Sequence, residues 1–265
     1  GMDLPSAFFE TMSGFTTTGA TCINDIDALP RSLLFWRAIT QWIGGLGIVV
    51  FSFALIPVYE FRNSNIYSAE VTGLSLDKLR PKIGATARRM LLIYLFLTSA
   101  CAFFYWIGPM NLYDAICHSF TTIATGGFST HTQSMAFFHS SYIEYVACLF
   151  MLASSVNFSL YFYLSIKRSD ILFKNEEFRT FFAIIAIAVV GFMLLFYFAP
   201  VPKTAEGTLP VGLEETFRSA LFHVSSVMTS TGFAAQKFDY VAWGASFWMP
   251  TVVIMAIGSC AGSIS

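Results

Sequence analysis

Charge is what this sequence has least of. Asp, Glu, Lys and Arg make up 12% of its 265 residues, about half the share in soluble domains, which argues against an ordinary soluble enzyme. Net charge, −1, says nothing about nucleic acid, but no basic stripe is present and no nucleic-acid partner is expected. The five cysteines, Cys22, Cys101, Cys117, Cys148 and Cys260, form no CxxC pair and no regular spacing. They read as small apolar residues, not as a disulfide or zinc framework. A GxSG element is missing and hydroxyls recur instead of converging on one nucleophile, so the chain reads as a non-enzyme, with an intramembrane serine protease as a distant alternative. No phosphate-binding glycine loop is present, and no cofactor is expected. No signal peptide is recognisable, since Gly1 opens almost directly onto the first of three repeats.

What fills the chain is apolar: 55% of residues, including 29 phenylalanines. A helix needs about 20 apolar residues to cross the hydrocarbon core, and five runs qualify: Leu33–Val58, Met90–Ile107, Tyr142–Ile166, Phe181–Pro200 and Trp243 to the end. Three segments between them, Pro5–Phe15, Tyr113–Thr122 and Glu214–Met228, are too short or too polar. The fold expected is all-α integral membrane, with short helices that enter the bilayer and return through backbone shielded by protein or water.

Each short helix runs into a hydroxyl-rich turn: Thr16-Thr17-Thr18-Gly19-Ala20, Thr122-Ile123-Ala124-Thr125-Gly126-Gly127 and Thr229-Ser230-Thr231-Gly232-Phe233, at nearly equal spacing. Such a turn between apolar segments can aim backbone carbonyls at a desolvated cation, and glycine there supplies permissive dihedrals with no side chain. Ten of the 15 Lys and Arg gather at Arg62–Arg89 and Lys167–Arg179, which the positive-inside rule makes cytoplasmic. Arg31, Lys203, Arg218 and Lys237 then lie at or near the external side. The negative ends of the half-helices point toward the membrane centre, which favours a cation.

The run Ser6–Thr21 resembles the first pore segment of the Trk/Ktr/HKT potassium transporters, most closely the bacterial Trk potassium uptake membrane subunit. Phe35-Trp36-Arg37 and Gln41-Trp42-Ile43-Gly44-Gly45-Leu46-Gly47-Ile48 are similar to that family's first inner helix. Ala124–Thr130, Thr229–Phe233 and Ile257–Ser263 match further pore elements. The resemblance implies four outer-helix, pore-helix and inner-helix units around a pseudo-fourfold pore, of which the fourth is missing here. Residues 1–58 fall in repeat 1, 59–89 in a basic cytoplasmic loop, 90–166 in repeat 2, 167–180 in a second cytoplasmic loop and 181–265 in repeat 3.

By the same resemblance Gly19, Gly126 and Gly232 are the selectivity positions. They are flanked by carbonyl donors at Thr17, Thr18, Ala124, Thr125, Ser230 and Thr231, which would hold K+ as the transported ion. In sodium-preferring relatives the first glycine is often serine, so Gly19 favours K+. A sodium-preferring or Na+/H+-coupled transporter is the alternative, and channel-like flux or symport is left open. The family also implies a multi-pass protein of the bacterial inner membrane, a homodimer of the membrane subunit and a cytoplasmic ring of nucleotide-binding regulatory subunits. The basic loops suit such docking or anionic lipid equally.

Gly258-Ser259-Cys260-Ala261-Gly262-Ser263 is expected to interrupt the last helix as an intramembrane gate, with close helix packing as the alternative and a kink at Pro250. His118, His131, His139 and His223 show no metal-ligand convergence. Glu10 and Asp114 are candidates as membrane-depth carboxylates, although Asp114 reads better as a surface acid of the external vestibule. Asn157 lines a cavity or bonds between helices.

Overall fold

The computed structural model describes residues 2–64, 80–156, 161, 175–198, 212–235 and 244–263. Among them the regular structure is helical throughout. The elements are α1 (Leu4–Phe15), α2 (Arg31–Ser64), α3 (Arg80–Ile107), α4 (Leu112–Ile123), α5 (Ser141–Ser155), α6 (Glu176–Phe198), α7 (Leu213–Met228) and α8 (Gly244–Ser263), with a 3₁₀ turn at Ser134–Phe138. At about 1.5 Å per residue, α2, α3, α6 and α8 reach the roughly 30 Å of a hydrocarbon core. The 12-, 12- and 16-residue helices α1, α4 and α7 do not.

The short helices have local reasons to start where they do. Pro5 stands in the first turn of α1, where its missing N–H costs nothing. The Asn111 side chain caps α4 by accepting from the Asp114 N–H at 2.8 Å. Glu214 and Glu215 sit in the first turn of α7, where the helix dipole favours acids. None of the three carries a basic residue in its last turn, so their negative ends are left uncompensated by side chains.

Each short helix is held by its long neighbours: α1 on α2, α4 among α2, α3 and α5, and α7 among α5, α6 and α8. Tyr94, Cys101, Tyr105, Ile123, Ile143 and Met151 close one apolar cluster, and Ile185, Phe192, Ala220, Val224, Met228 and Ile254 a second. The outward faces are equally apolar. Arg88–Ile107 and Phe178–Phe196 are long and apolar enough to span, yet only 28% and 17% of their apolar windows are buried. A surface of that kind suits lipid far better than water.

Three expected boundaries move. Helix α2 continues past Val58 to Ser64, and α3 already begins at Arg80, so part of the 59–89 loop is helical. Hydropathy limits only the part of a helix that sits in lipid, and its backbone bonds continue into water without apolar side chains. Likewise α6 starts at Glu176, inside the expected 167–180 loop. The Tyr142–Ile166 run does not form one continuous spanning helix: α5 ends at Ser155 and Val156 turns to extended backbone. Asn157, most of that run beyond Val156, and Lys78, Lys167, Arg168, Lys174, Lys203 and Lys237 lie outside the described residues.

Candidate functional site: three helix-end turns

Helices α1, α4 and α7 end alike. The cap residues Thr16, Ala124 and Thr229 keep φ at −83°, −75° and −85°. The next residue is left-handed each time: Thr17 at φ 54°, Thr125 at 49° and Ser230 at 56°. Its N–H donates to the carbonyl of Gly14, Thr122 or Val227, each at 3.1 Å. The N–H of the following Thr18, Gly126 or Thr231 donates to Ser13, Thr121 or Ser226 at 3.0, 2.8 and 2.9 Å. This is the Schellman helix ending, whose left-handed place normally goes to glycine or asparagine. A β-branched threonine there is a true outlier, costing on the order of 1–3 kcal/mol per turn. Strain of one kind, repeated at three helix ends, marks a backbone shape kept for use.

The second glycine of each motif fixes the register. Gly19, Gly127 and Gly232 share φ of 77°, 76° and 79°. The counterpart of Gly19 is therefore Gly127, and the expectation that Gly126 fills that place is corrected: Gly126 matches Thr18 and Thr231, and Ala124 matches Thr16. The double glycine at 126–127 hid the shift, although the Gly-Phe pairs Gly127-Phe128 and Gly232-Phe233 carried the true alignment.

The turns interlock in one direction. A Cβ on Gly19 would overlap the Gly126 carbonyl, and a Cβ on Gly127 would overlap the Thr231 carbonyl. On Gly232 it would meet nothing within 4 Å among the described residues. Turn 1 thus lies against turn 2 and turn 2 against turn 3, each through a glycine whose dihedral and neighbour both exclude a side chain.

Hydroxyls stiffen turns 1 and 3 identically. Thr16 and Thr18 pair through their Oγ1 atoms at 2.8 Å, and Thr229 and Thr231 at 2.7 Å. Ser13 Oγ donates to the Ala20 carbonyl at 2.6 Å, and Ser226 Oγ to that of Phe233 at 2.7 Å. Turn 2 has Ala124 and Gly126 instead, and Gln41 of α2 reaches it from outside. Its Nε2 donates to the Gly126 carbonyl at 2.7 Å, and its Oε1 accepts from the Phe128 N–H at 3.1 Å.

The long helices press on the helix ends. A Cβ on Gly44 of α2 would overlap the carbonyl of Phe15, the last residue of α1, and one on Gly258 of α8 that of Met228, the last of α7. Ser154 of α5 instead donates to the Thr122 carbonyl at 3.3 Å. The expected interruption at Gly258–Ser263 is not found, because α8 is helical through Ser263 and through Pro250. Two glycines cost a helix roughly 2 kcal/mol, too little to break it where packing holds. Nothing is described of the side chains of Ser259–Ser263.

Charged groups brace the same region. Glu10 is buried and paired with Arg37 of α2, at 2.7 Å to Nη2 and 2.9 Å to Nε. Arg37 also lies 4.2 Å from the ring centroid of Phe128 and donates from Nη2 to Thr21 Oγ1 at 3.3 Å, tying α1, α2 and turn 2 together. Arg37 and Gln41 stand one helical turn apart inside the quoted motif, and that spacing on one face was the only sequence signal for either. Asp114 is not the surface acid expected: it is 5% exposed and accepts from Thr130 Oγ1 at 2.7 Å. Its carboxylate lies 3.4 Å from His131 Nε2, whose Nδ1 lies 2.7 Å from Asp27. Burial alone would lower the His131 pKa, but hydrogen bonds to Asp114 and Asp27 outweigh it and raise it. Burial would raise Asp27, and the bonds from His131 and Thr132 bring it below its ordinary value. His118 is buried, bonding the Asp114 carbonyl and Ser129 Oγ, and His223 faces Thr251.

Residues 2–265 match the family model for TrkH, described as a cation transport protein. The chain is similar to the Trk system potassium uptake protein TrkH of Escherichia coli K12, with 38% identity over 266 residues, 99% of this chain and 53% of the relative. TrkH of Vibrio parahaemolyticus is 39% identical over 269 residues, with the same coverage. Escherichia coli TrkG is 36% identical over 263 residues, covering 97% and 51%. The crystal structure of the potassium transporter TrkH from Vibrio parahaemolyticus superposes with a TM-score of 0.78 at 34% identity, over 99% of this chain and 51% of that one. The chain spans about half the length of the relatives it matches, and it belongs to the TrkH family of cation transport proteins.

Proposed function

We propose that this chain is part of the pore-forming membrane subunit of a potassium uptake system. Three of its backbone turns form walls of a K+ selectivity filter. The observation that carries this reading is the threefold recurrence of a left-handed Thr, Thr or Ser followed by a left-handed glycine, at the uncompensated negative ends of three short helices. Alternation of left- and right-handed residues turns successive carbonyls toward one side, which is what a ring replacing the hydration shell of a cation requires. In the corrected register the filter positions are Thr17-Thr18-Gly19, Thr125-Gly126-Gly127 and Ser230-Thr231-Gly232. The names of the relatives favour K+ over Na+ as the ion.

The rest of the reading follows from the same assignment. Arg62–Arg89 and Lys167–Arg179 face the cytoplasm of a bacterial inner membrane, the turns open outward, and repeated units surround a pseudo-fourfold axis. The membrane subunit pairs with a second copy and docks a cytoplasmic nucleotide-binding ring. The 258–263 stretch reads as close helix packing, with Gly258 lying against the Met228 carbonyl. The test is ion flux through the full-length protein in liposomes. Rubidium flux well above sodium flux supports the reading; equal fluxes, or none from correctly inserted protein, overturn it.

A further inference from the structure

Turn 2 differs from its two counterparts in how it is held. Turns 1 and 3 carry their own clamps, a Thr-Thr hydroxyl pair and a serine bonded to the carbonyl after the glycine. Turn 2 has neither clamp. Thr121, at the serine place, bonds back to the His118 carbonyl within α4, and Ala124 and Gly126 bring no hydroxyl. The amide of Gln41 fills both gaps at once, and Gln41 is fully buried. The three atoms nearest a Cβ at Gly126 all belong to that amide, so Gly126 is glycine because Gln41 occupies the space a threonine would use. Unlike Gly19, Gly127 and Gly232, Gly126 has no positive φ, and its backbone makes no demand for glycine.

We infer that Gln41 is a positioning residue for ion selectivity, a brace from the first repeat that sets the carbonyl of Gly126 in the second. The inference rests on reading the three turns as a filter. The carbonyl it holds is the one lying against Gly19, so one side-chain amide fixes turn 2 and the contact between turns 1 and 2 together. Gln41 sits on the α2 face that also carries Arg37, paired with Glu10, and Gly44, pressed on the end of α1. Any shift of α2 therefore moves the Gly126 carbonyl with it. A fully buried amide that both donates and accepts is costly to replace, because either half left unmade strands a buried polar group.

The experiment measures the rubidium-to-sodium flux ratio of full-length protein in liposomes for Gln41→Leu, Gln41→Glu and Gly19→Ser. It adds the triple variant Gln41→Ala/Ala124→Thr/Gly126→Thr, which gives turn 2 the hydroxyl pair of turns 1 and 3. Gln41→Leu keeps the volume and loses both bonds; Gln41→Glu keeps the acceptor and loses the donor. Both are expected to lower the ratio about tenfold, and the triple variant to recover most of it. Where Gln41→Leu does not accumulate, Gln41→Glu decides on the same ratio. Wild-type ratios in the Gln41 variants beside a lost preference in Gly19→Ser would overturn the inference and leave the filter reading standing. An unchanged ratio in Gly19→Ser as well would remove the filter reading itself. A triple variant that restores protein yield without the ratio would reduce Gln41 to packing.

Discussion

Serine placed at each glycine of the turns separates the structural register from the one the sequence invites. At Gly127 the substitution meets two obstacles. The residue is at φ 76°, where an L side chain costs about 1–2 kcal/mol, and its Cβ would overlap the Thr231 carbonyl. That carbonyl must retreat by about an ångström or more to restore van der Waals contact. Gly19, at φ 77° against the Gly126 carbonyl, is in the same position. Gly126 differs: its φ is ordinary, and a Cβ there meets the buried Gln41 amide and not backbone, so a substitution acts by displacing that brace. On the filter reading these carbonyls replace a hydration shell, and displacing them disturbs the larger ion more than sodium. A loss of about 1–3 kcal/mol of discrimination lowers the preference roughly tenfold to a hundredfold. Gly19→Ser and Gly127→Ser should therefore lose rubidium preference in liposomes of full-length protein, Gly232→Ser should follow through its dihedral, and Gly126→Ser should act only through Gln41, adding nothing to the loss already caused by Gln41→Ala. A Gly126→Ser protein that loses preference while Gly127→Ser keeps it would refute the register.

Other outcomes follow from the packing around the turns. Arg37→Met strands the buried Glu10 carboxylate and should destabilise the protein by about 3–5 kcal/mol, read as a lowered melting temperature. Adding Glu10→Gln should return part of it, and equal stability of the two variants would deny that the pair is coupled. Gly44→Ala should cost about 1–3 kcal/mol by overpacking against Phe15, whereas Gly47→Ala, with nothing within 4 Å of its Cβ among the described residues, should be neutral or stabilise α2 by up to about 1 kcal/mol; the reverse order would remove the close approach. The Asp27–His131–Asp114 bridge should make stability depend on pH. The His131 pKa is raised above its ordinary 6.5, so its contribution is complete below that value and is lost as pH rises through the folded pKa. The Asp27 pKa is lowered below 3.8, so its contribution is lost only as pH falls through that lower value. Melting curves between about pH 5 and 9 should show stability falling with pH in the wild type and a flatter profile in His131→Gln.

The sequence by itself determined what depends on neighbours along the chain. Hydropathic length set α2, α3, α6 and α8 apart from the short helices but failed at Tyr142–Ile166, where α5 ends at Ser155; Pro5–Phe15, Tyr113–Thr122 and Glu214–Met228 fall within one residue of α1, α4 and α7 at each end. The hydroxyl-and-glycine turns were legible because a helix ending is a local event, settled by the residues that follow the last turn. The motifs around Gly19 and Trp42 pointed to the family for the same reason. What only the tertiary structure decided depends on groups far apart in the chain. Gly127 replaces Gly126 as the partner of Gly19 because backbone dihedrals, not letters, set the register, and a double glycine is ambiguous by one residue. Asp114 is buried because Thr130 and His131 fold back over it, and Glu10 because Arg37 arrives from α2. The small-residue stretch at Gly258–Ser263 stays helical: low side-chain volume permits a break and equally permits close packing, and the carbonyl of Met228 lying against Gly258 selects the second. Gln41 in a run of Trp and Gly looks like one more polar residue on an inner helix. It becomes the brace of turn 2 only when the second repeat brings it a carbonyl to donate to and an N–H to accept from.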